Sequence, residues 1–473
     1  MYAQPPAHRS CASLLGTLIL VVACATPSVK PLDLEASELA WTDRVDVESL
    51  EVALAGADVA ATAIVDPDPE ARRDQASDAF WQASALAWNP RVRATRNEVL
   101  ALRQDLRSAG APGPVWVRAV DHQFGGEDSL FETIATFDLI GLLGLGPAEA
   151  AKELADAQVI QALSQHEEAL WAARMEVERA RVQLSAARAR LVRIDELQAE
   201  ARADDVRITI LERNGREAPS DVDAARARID VLERLRSIHG DAVAEASRRL
   251  QAAAGLPAGH PAIDLVDAAH VAGFREREAP TLAGDEDARA LTHPTLRRAR
   301  LDFALAEANI RQIAAEAWPG IRLGPHLAFG PGTNIGGVLQ LSLPWPSAWK
   351  GRLAGAEERR EGARLAFEDA WIDLHQRDDA ALRRLELARE RAADATRNVD
   401  DAMQSMWLAA RARYRNGAMP LMRWIDVLEM RTNALLLPVD DAEAIALAWL
   451  DLLDARGPAA VGESFSVLEE ARP

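Results

Sequence analysis

The chain has 473 residues, 49% of them hydrophobic and only 5% aromatic, and carries a formal net charge of −19. That length has material for two or three domains, and the acidic balance argues against nucleic acid as a partner while remaining compatible with handling cations. Abundant Ala with few aromatics suits extended helices better than a thick globular core.

Residues 1–23 read as a signal peptide: Arg9 supplies a basic region, and an apolar run from Cys11 to Ala23 follows. The run is short for a membrane anchor and ends Val21-Val22-Ala23-Cys24, which resembles a lipoprotein signal with Cys24 as the lipidated first residue. Plain signal cleavage nearby is the alternative. Cleavage before Cys24 removes Cys11 and leaves a single thiol, so no disulfide forms. Residues 24–87 read as an acidic arm and a lead-in helix, with helical patches at Val47–Ala63 and Asp74–Ala87 around Asp66-Pro67-Asp68-Pro69.

The first repeat unit spans 88–257. Asn89-Pro90 starts a helix that ends near Gly110, since Pro suits the first helical turn. Two strands follow at about 115–124 and 130–140, flanking the turn Gly125-Gly126-Glu127-Asp128-Ser129. In the second, Phe131, Thr133, Ala135, Phe137 and Leu139 share one face, and Glu132, Thr136 and Asp138 the other. A long helix then runs over 147–213, on the order of 100 Å at 1.5 Å per residue. Its seven-residue seam holds Leu163, Leu170, Val177, Leu184 and Leu191, companioned by Ala173, Ala180, Ala187 and Ile194. After Asn214-Gly215 a returning helix covers Asp221 to Ala254 and stops at Gly255-Leu256-Pro257.

Residues 258–291 read as a connection, and 292–458 repeat the plan. His293-Pro294 opens a helix ending near Trp318-Pro319. Strands at about 321–329 and 338–343 flank a turn from Gly330 to Gly337, and Leu339, Leu341 and Leu343 share a face. The second long helix covers 346–415, with Leu385, Ala392, Val399 and Met406 as its seam and Ala388, Ala395, Ala402 and Ala409 as companions. Asn416-Gly417, a returning helix and Gly457-Pro458 close the unit; 459–473 is a tail. Asn89-Pro90 and His293-Pro294, Asn214-Gly215 and Asn416-Gly417, and Gly255 and Gly457 all stand about 200 residues apart, the mark of a tandem duplication.

Beyond the signal segment no apolar run is long enough for a transmembrane helix, so any membrane crossing falls to strands. Each unit offers two strands of about 9–11 residues, the length that crosses a bilayer at a tilt. Four strands cannot close a barrel, so spanning strands require an oligomer. Trp116, Trp318 and Trp345 stand at strand ends, where an interfacial belt places aromatics. Pro325 within the third strand suits an edge or a bulge, and Pro438 in the last helix predicts a kink. A soluble four-stranded sheet is the alternative for the hairpins.

Lead-in helix, hairpin, very long helix and returning helix, given twice from about Ser49 to Gly457, resemble the TolC-like outer-membrane efflux proteins. The most specific stretches are Asp221–Asp230 and Tyr414-Arg415-Asn416-Gly417 followed by Trp424-Ile425-Asp426-Val427-Leu428. Asn89-Pro90, Ser108-Ala109-Gly110, Pro112-Gly113-Pro114 and Leu343-Pro344-Trp345-Pro346 ahead of Lys350-Gly351-Arg352 resemble the heavy-metal (CzcC-type) branch. The resemblance implies a mainly α fold: very long coiled-coil helices forming an α-barrel, with four strands per chain in a trimeric, twelve-stranded transmembrane β-barrel. It implies a homotrimer in the outer membrane, with a periplasmic adaptor and an inner-membrane pump docking at the far end of the helices. It further implies an acidic periplasmic entrance, where Asp221 and Asp426 match acidic positions; Arg423 departs from the pattern and either alters the ring's charge or pairs with an Asp. A solvated helix start with Asp favoured by the dipole is the plainer reading of these residues.

No catalytic constellation, phosphate loop or paired His at metal-ligand spacing stands out, so neither enzyme activity nor a cofactor is expected. The competing reading is a lipid-anchored periplasmic coiled-coil adaptor or scaffold. The duplicated strand pairs speak against it, because an adaptor should carry one hairpin flanked by β-rich segments.

Overall fold

A computed structural model describes residues 33–42, 44, 50, 77–111, 116–123, 129–139, 143, 146–215, 218–281, 292–329, 333–343, 346–395 and 401–461. The signal peptide, Cys24, most of Val47–Ala63 and Trp345 lie outside them. The chain divides into two units, Met1–Arg44 and Val45–Pro473. The first contributes helix α1 (Leu34–Thr42), whose start is held by Ala36 N–H donating to Asp33 Oδ1 at 3.0 Å.

The second unit begins with α2 (Asp78–Trp88) and α3 (Pro90–Ser108), then β1 (Trp116–Gln123), β2 (Ser129–Asp138), α4 (Pro147–Arg213) and α5 (Pro219–Ala254). Two short 3-10 turns, Pro261–Leu265 and His270–Phe274, connect to α6 (Pro294–Ala315), β3 (Gly320–Phe329), β4 (Thr333–Ser342), α7 (Pro346–Ala395), α8 (Asp401–Arg415) and α9 (Leu421–Arg456). The 67 residues of α4 form one unbroken helix, about 100 Å long. The second long helix is described as α7 and α8; residues 396–400 between them lie outside the described set. Pro438 sits inside the continuous helix α9.

Both repeat units close with the same joint. Asn89 accepts the Arg91 N–H through Oδ1 at 2.9 Å and donates through Nδ2 to the Ala253 carbonyl at 3.0 Å. Its counterpart His293 accepts the Thr295 N–H through Nδ1, while Nε2 lies 3.0 Å from the Asp454 carbonyl. In each unit the cap of the first helix thus reaches the last turn of the returning helix. Gly255 then leaves that helix at φ +71°, and a Cβ on it would stand 2.6 Å from the Trp88 carbonyl carbon. Gly255→Ala therefore adds left-handed strain to a backbone clash and is expected to lower stability by about 1–3 kcal/mol, read as a lower melting temperature.

The long helix is buried on two faces. Leu170, Val177 and Leu184 of the expected seam pack with Phe80, Trp81, Leu250 and Ile263 of the first unit. The adjacent face, Trp171, Met175 and Val182, packs with Leu385, Ile445 and Trp449 of the second. Leu385, Ala388 and Ala392 are buried as expected, but Ala402 and Ala409 are exposed. In α8 the buried positions are Trp407, Ala410 and Tyr414, because the large rings claim the face toward α9 that the small Ala cannot fill.

The four strands form one antiparallel sheet in the order β1-β2-β3-β4, so the two hairpins pair with each other through β2 and β3. β4 begins at Thr333, earlier than expected: Ile335, Gly336 and Gly337 are not turn but pair with Leu327, His326 and Pro325. Pro325 is likewise not at an edge, since β3 is flanked on both sides. The β2–β3 pairing lapses at Ala135 and Thr136, opposite Pro325 and Gly324. A Cβ on Gly324 would lie 1.6 Å from the Ala135 carbonyl oxygen, so bare glycine backbone makes room beside a residue that cannot donate to the ladder.

Candidate functional site: the helix-turn tip and the two-faced sheet

The α4–α5 and α8–α9 turns come together in one apolar cluster. Ile208, Val222 and Ala225 from the first pack with Trp407, Tyr414, Leu421, Trp424, Ile425 and Leu428 from the second. Gly215 (φ +63°) and Gly417 (φ +72°) supply the left-handed residue at each turn.

At the centre of the tip lies Trp424, 1% exposed. Its ring is stacked on Tyr414 (centroids 5.1 Å apart, 4° between planes) and on Trp407 (4.6 Å, 26°). Trp424 Nε1–H donates to Asp204 Oδ2 of α4 at 2.9 Å. Burial pushes the Asp204 carboxyl up; the Trp424 hydrogen bond and the cations Arg411, Arg415 and Arg207 oppose that rise. Arg207 lies over the Tyr414 ring at 5.3 Å and donates to the carbonyls of Tyr414 and Arg415, satisfying acceptors that the end of α8 leaves open. Further out, Arg228 of α5 pairs with Glu429 of α9 at 2.5 Å, and Arg226 pairs with Glu212 across the first turn at 3.0 Å.

Asp221 is half-buried in the first turn of α5, while Arg423 and Asp426 are exposed near the start of α9. The structure brings their helices together, since Val222 beside Asp221 and Trp424 and Ile425 between Arg423 and Asp426 share the tip cluster. Among the described residues Arg423 forms no ion pair with Asp221 or Asp426. The residues that join the two turns are Trp424, Tyr414, Asp204 and Arg207. Sequence pattern flagged Tyr414 and Trp424 only as parts of a resemblance, and nothing in it links positions 204 and 424.

At the opposite end of the long helices the sheet has two chemically distinct faces, because directly paired residues share a face. One carries Val117, Phe137, Leu323, Leu327, Ile335, Leu339 and Leu341; it is bare along β4, where Ile335 is 79% exposed, Leu339 68% and Leu341 58%, and half-buried at Phe137, Leu323 and Leu327. The other carries all of Arg118, Glu132, Asp138, Arg322, His326 and Gln340 among the apolar Val120, Ile134 and Val338, with Glu132 Oε1 2.5 Å from His326 Nε2. Trp116 belongs to this polar face, opposite Thr136, and Arg322 lies over its ring at 5.1 Å. Its place in the pairing puts it with the charged residues. Trp318 is exposed just ahead of β3. No described helix is long and apolar enough to cross a membrane.

The chain aligns over most of its length with solved outer-membrane channels. The outer-membrane channel OprN matches at 17% identity and TM-score 0.67, covering 91% of this chain and 97% of that one. The open-state MtrE outer membrane channel of Neisseria gonorrhoeae matches at 17% identity and TM-score 0.64, over 80% and 88%. VceC, an outer membrane protein of Vibrio cholerae, matches at 15% identity and TM-score 0.64, over 82% and 96%. This is the fold of the TolC-like outer-membrane efflux channels. No protein-family model and no curated protein matches the sequence. Within that fold, a sheet with one apolar and one charged face can separate lipid from water, and a tip clamped by aromatic stacking can hold two helical hairpins at a fixed spacing.

Proposed function

We propose that the chain is one protomer of a passive outer-membrane duct in a tripartite efflux system, conducting metal cations or small toxic compounds outward from a pump and its adaptor. The observation that carries this reading is the apolar face of the four-stranded sheet, bare along β4 and backed by a charged face on the same strands. Four strands leave two open edges, which lipid does not tolerate. Three chains closing a twelve-stranded barrel satisfy both edges, turn the apolar face to lipid and put Glu132, Arg322 and His326 in the lumen. Adaptor and pump then dock at the helix-turn tip, where Asp221, Arg423 and Asp426 stand at the entrance. The heavy-metal branch is the narrower form of the proposal and rests on the Pro- and Gly-rich motifs around Asn89, Gly110 and Lys350.

Separation of the two membranes on a density gradient, followed by sizing of the extracted protein, tests the proposal. A trimer in the outer-membrane fraction, resistant to high-salt and carbonate washing, supports it. A monomer, or a protein released once Cys24 is replaced, supports the lipid-anchored scaffold instead. The faces of β4 give a sharper test. Leu339→Arg sets a charge against lipid at a cost of about 2–4 kcal/mol near the bilayer midplane; it is expected to abolish heat-resistant trimer in the outer membrane. Gln340→Arg, one residue along on the lumen face, should leave trimer yield unchanged. Metal and drug sensitivity of a deletion strain then identifies the substrate class.

A further inference from the structure

Below the tip, α4, the 3-10 turn at His270–Phe274, α8 and α9 line an open cavity of about 730 Å³. Much of its wall is small and apolar: Ala189, Ala272, Ala434 and Ala442 leave room that larger side chains would fill, and Trp407 supplies an aromatic wall. Among the described residues the charged ones lining it are Arg193, Arg275 and Arg431, with no carboxylate beside them in the wall. In a chain of net charge −19, three guanidinium groups around an apolar hollow are a selective arrangement rather than an average one.

The arginines are only partly committed. Arg431 lies over the Trp407 ring at 3.8 Å, and its Nη1, 3.0 Å from Glu200 Oε2, is buried without a hydrogen bond of good geometry. Arg193 reaches Glu196 in its own helix at 2.9 Å, and Arg275 donates to the Pro438 carbonyl at 2.7 Å. Each guanidinium carries five N–H donors, so donors remain for a ligand.

We infer that this cavity is a binding site for an amphipathic organic anion of drug size, an aromatic or aliphatic body bearing one carboxylate or sulfonate. The volume falls in the range of about 300–1,000 Å³ typical of small-molecule sites. The alanine-lined floor takes the apolar body, and the arginines take the anionic group through charge-assisted hydrogen bonds, while Trp407, stacked on Trp424 and covered by Arg431, closes part of the wall. A cationic ligand finds no carboxylate among the described lining residues. The site stands on this cavity alone and holds whether or not the chain conducts.

Calorimetric titration of purified full-length protein with naphthalene-2-sulfonate tests it, with protein-free micelles of the same detergent subtracted. The expected result is saturable binding of one probe per chain. Binding should weaken about tenfold in Arg275→Gln or Arg193→Gln and disappear in Ala434→Trp. Naphthalene-2-methanol should bind at least tenfold more weakly, and a naphthyl trimethylammonium salt should not bind. Ala272→Trp, on the exposed 3-10 turn, fills the same hollow from the other side and serves if Ala434→Trp does not fold. Absence of saturable binding, equal affinity for the alcohol, or unchanged binding in a folded Trp variant would overturn the site. A second copy of the chain occupying the cavity would appear as binding seen only after the assembly is dissociated, and that result overturns it as well.

Discussion

Trp424→Ala is expected to unfold the helix-turn tip while leaving the upper helices intact. Removing a buried aromatic side chain costs about 3–5 kcal/mol, and Trp424 is buried to 1% exposure. Its two stacked partners, Tyr414 and Trp407, each lose a contact worth about 0.5–1.5 kcal/mol beyond area burial. The same change strips Asp204, whose carboxyl burial already pushes up, of its indole donor. These losses fall in a cluster separate from those that hold the upper helices. The damage is therefore local, a sub-global opening rather than loss of the fold. Hydrogen exchange should show faster exchange of amides across 204–225 and 401–430, with those around 170–185 unchanged. Trp424→Phe keeps a stacked ring and loses only the bond to Asp204, so it should cost about 1–2 kcal/mol. Equal exchange at the tip in wild type and Trp424→Ala would mean that the aromatic stack does not hold the turns together.

The plan of the fold was legible because its punctuation is chemical. Asn89 and His293 were readable as helix starts from the Pro that follows each, and Gly255 and Gly457 as stops; the structure shows each start capping itself and reaching its unit's last turn. The alternation of Leu339 and Leu341 with Gln340 was readable too, and strand pairing puts the two leucines on one face. Three kinds of feature were not. A seven-residue seam identifies one buried face and so does not mark Trp171, Met175 and Val182, although α4 is buried by both repeat units. Parity at a strand end depends on where pairing begins. Gly336-Gly337 reads as turn in the sequence but continues the β4 ladder. The resemblance points at the tip to charged residues, Asp221, Arg423 and Asp426, whereas its joint is a tryptophan on one helix hydrogen-bonded to an aspartate 220 positions earlier. Contacts at that separation leave no periodic trace.

Arg297→Met is expected to destabilise the protein far more at pH 8 than at pH 5. Arg297 of α6 pairs with Glu167 of α4 at 3.1 Å, and Glu167 is 2% exposed with one carboxylate oxygen lacking a hydrogen bond. Burial pushes the Glu167 carboxyl up from 4.5 to about 7, against the pull of Arg297. A carboxyl raised on folding keeps its proton in the folded state while the unfolded chain releases it. Its contribution to stability therefore falls as pH rises from about 4.5 to 7 and is flat above, by about 3 kcal/mol in all. The neighbouring His166, held down at about 4 by burial and then by Arg96, acts oppositely, adding stability as pH rises from about 4 to 6.5. The raw pH profile thus mixes the two, and the comparison with Glu167→Gln separates them. That variant should gain about 2.5 kcal/mol on wild type between pH 5 and pH 8, a difference His166 does not affect because it is common to both chains. Removing Arg297 takes away the one cation opposing the rise of Glu167. At pH 8 it leaves a buried carboxylate uncompensated, at a cost of about 3–5 kcal/mol; at pH 5 Glu167 is protonated and the loss is mainly packing. Denaturant unfolding of wild type and both variants at the two pH values checks this. An equal loss in Arg297→Met at pH 5 and pH 8 would show that Glu167 stays ionised throughout, with the pair held as a solvated contact between the first unit's long helix and the second unit's opening helix.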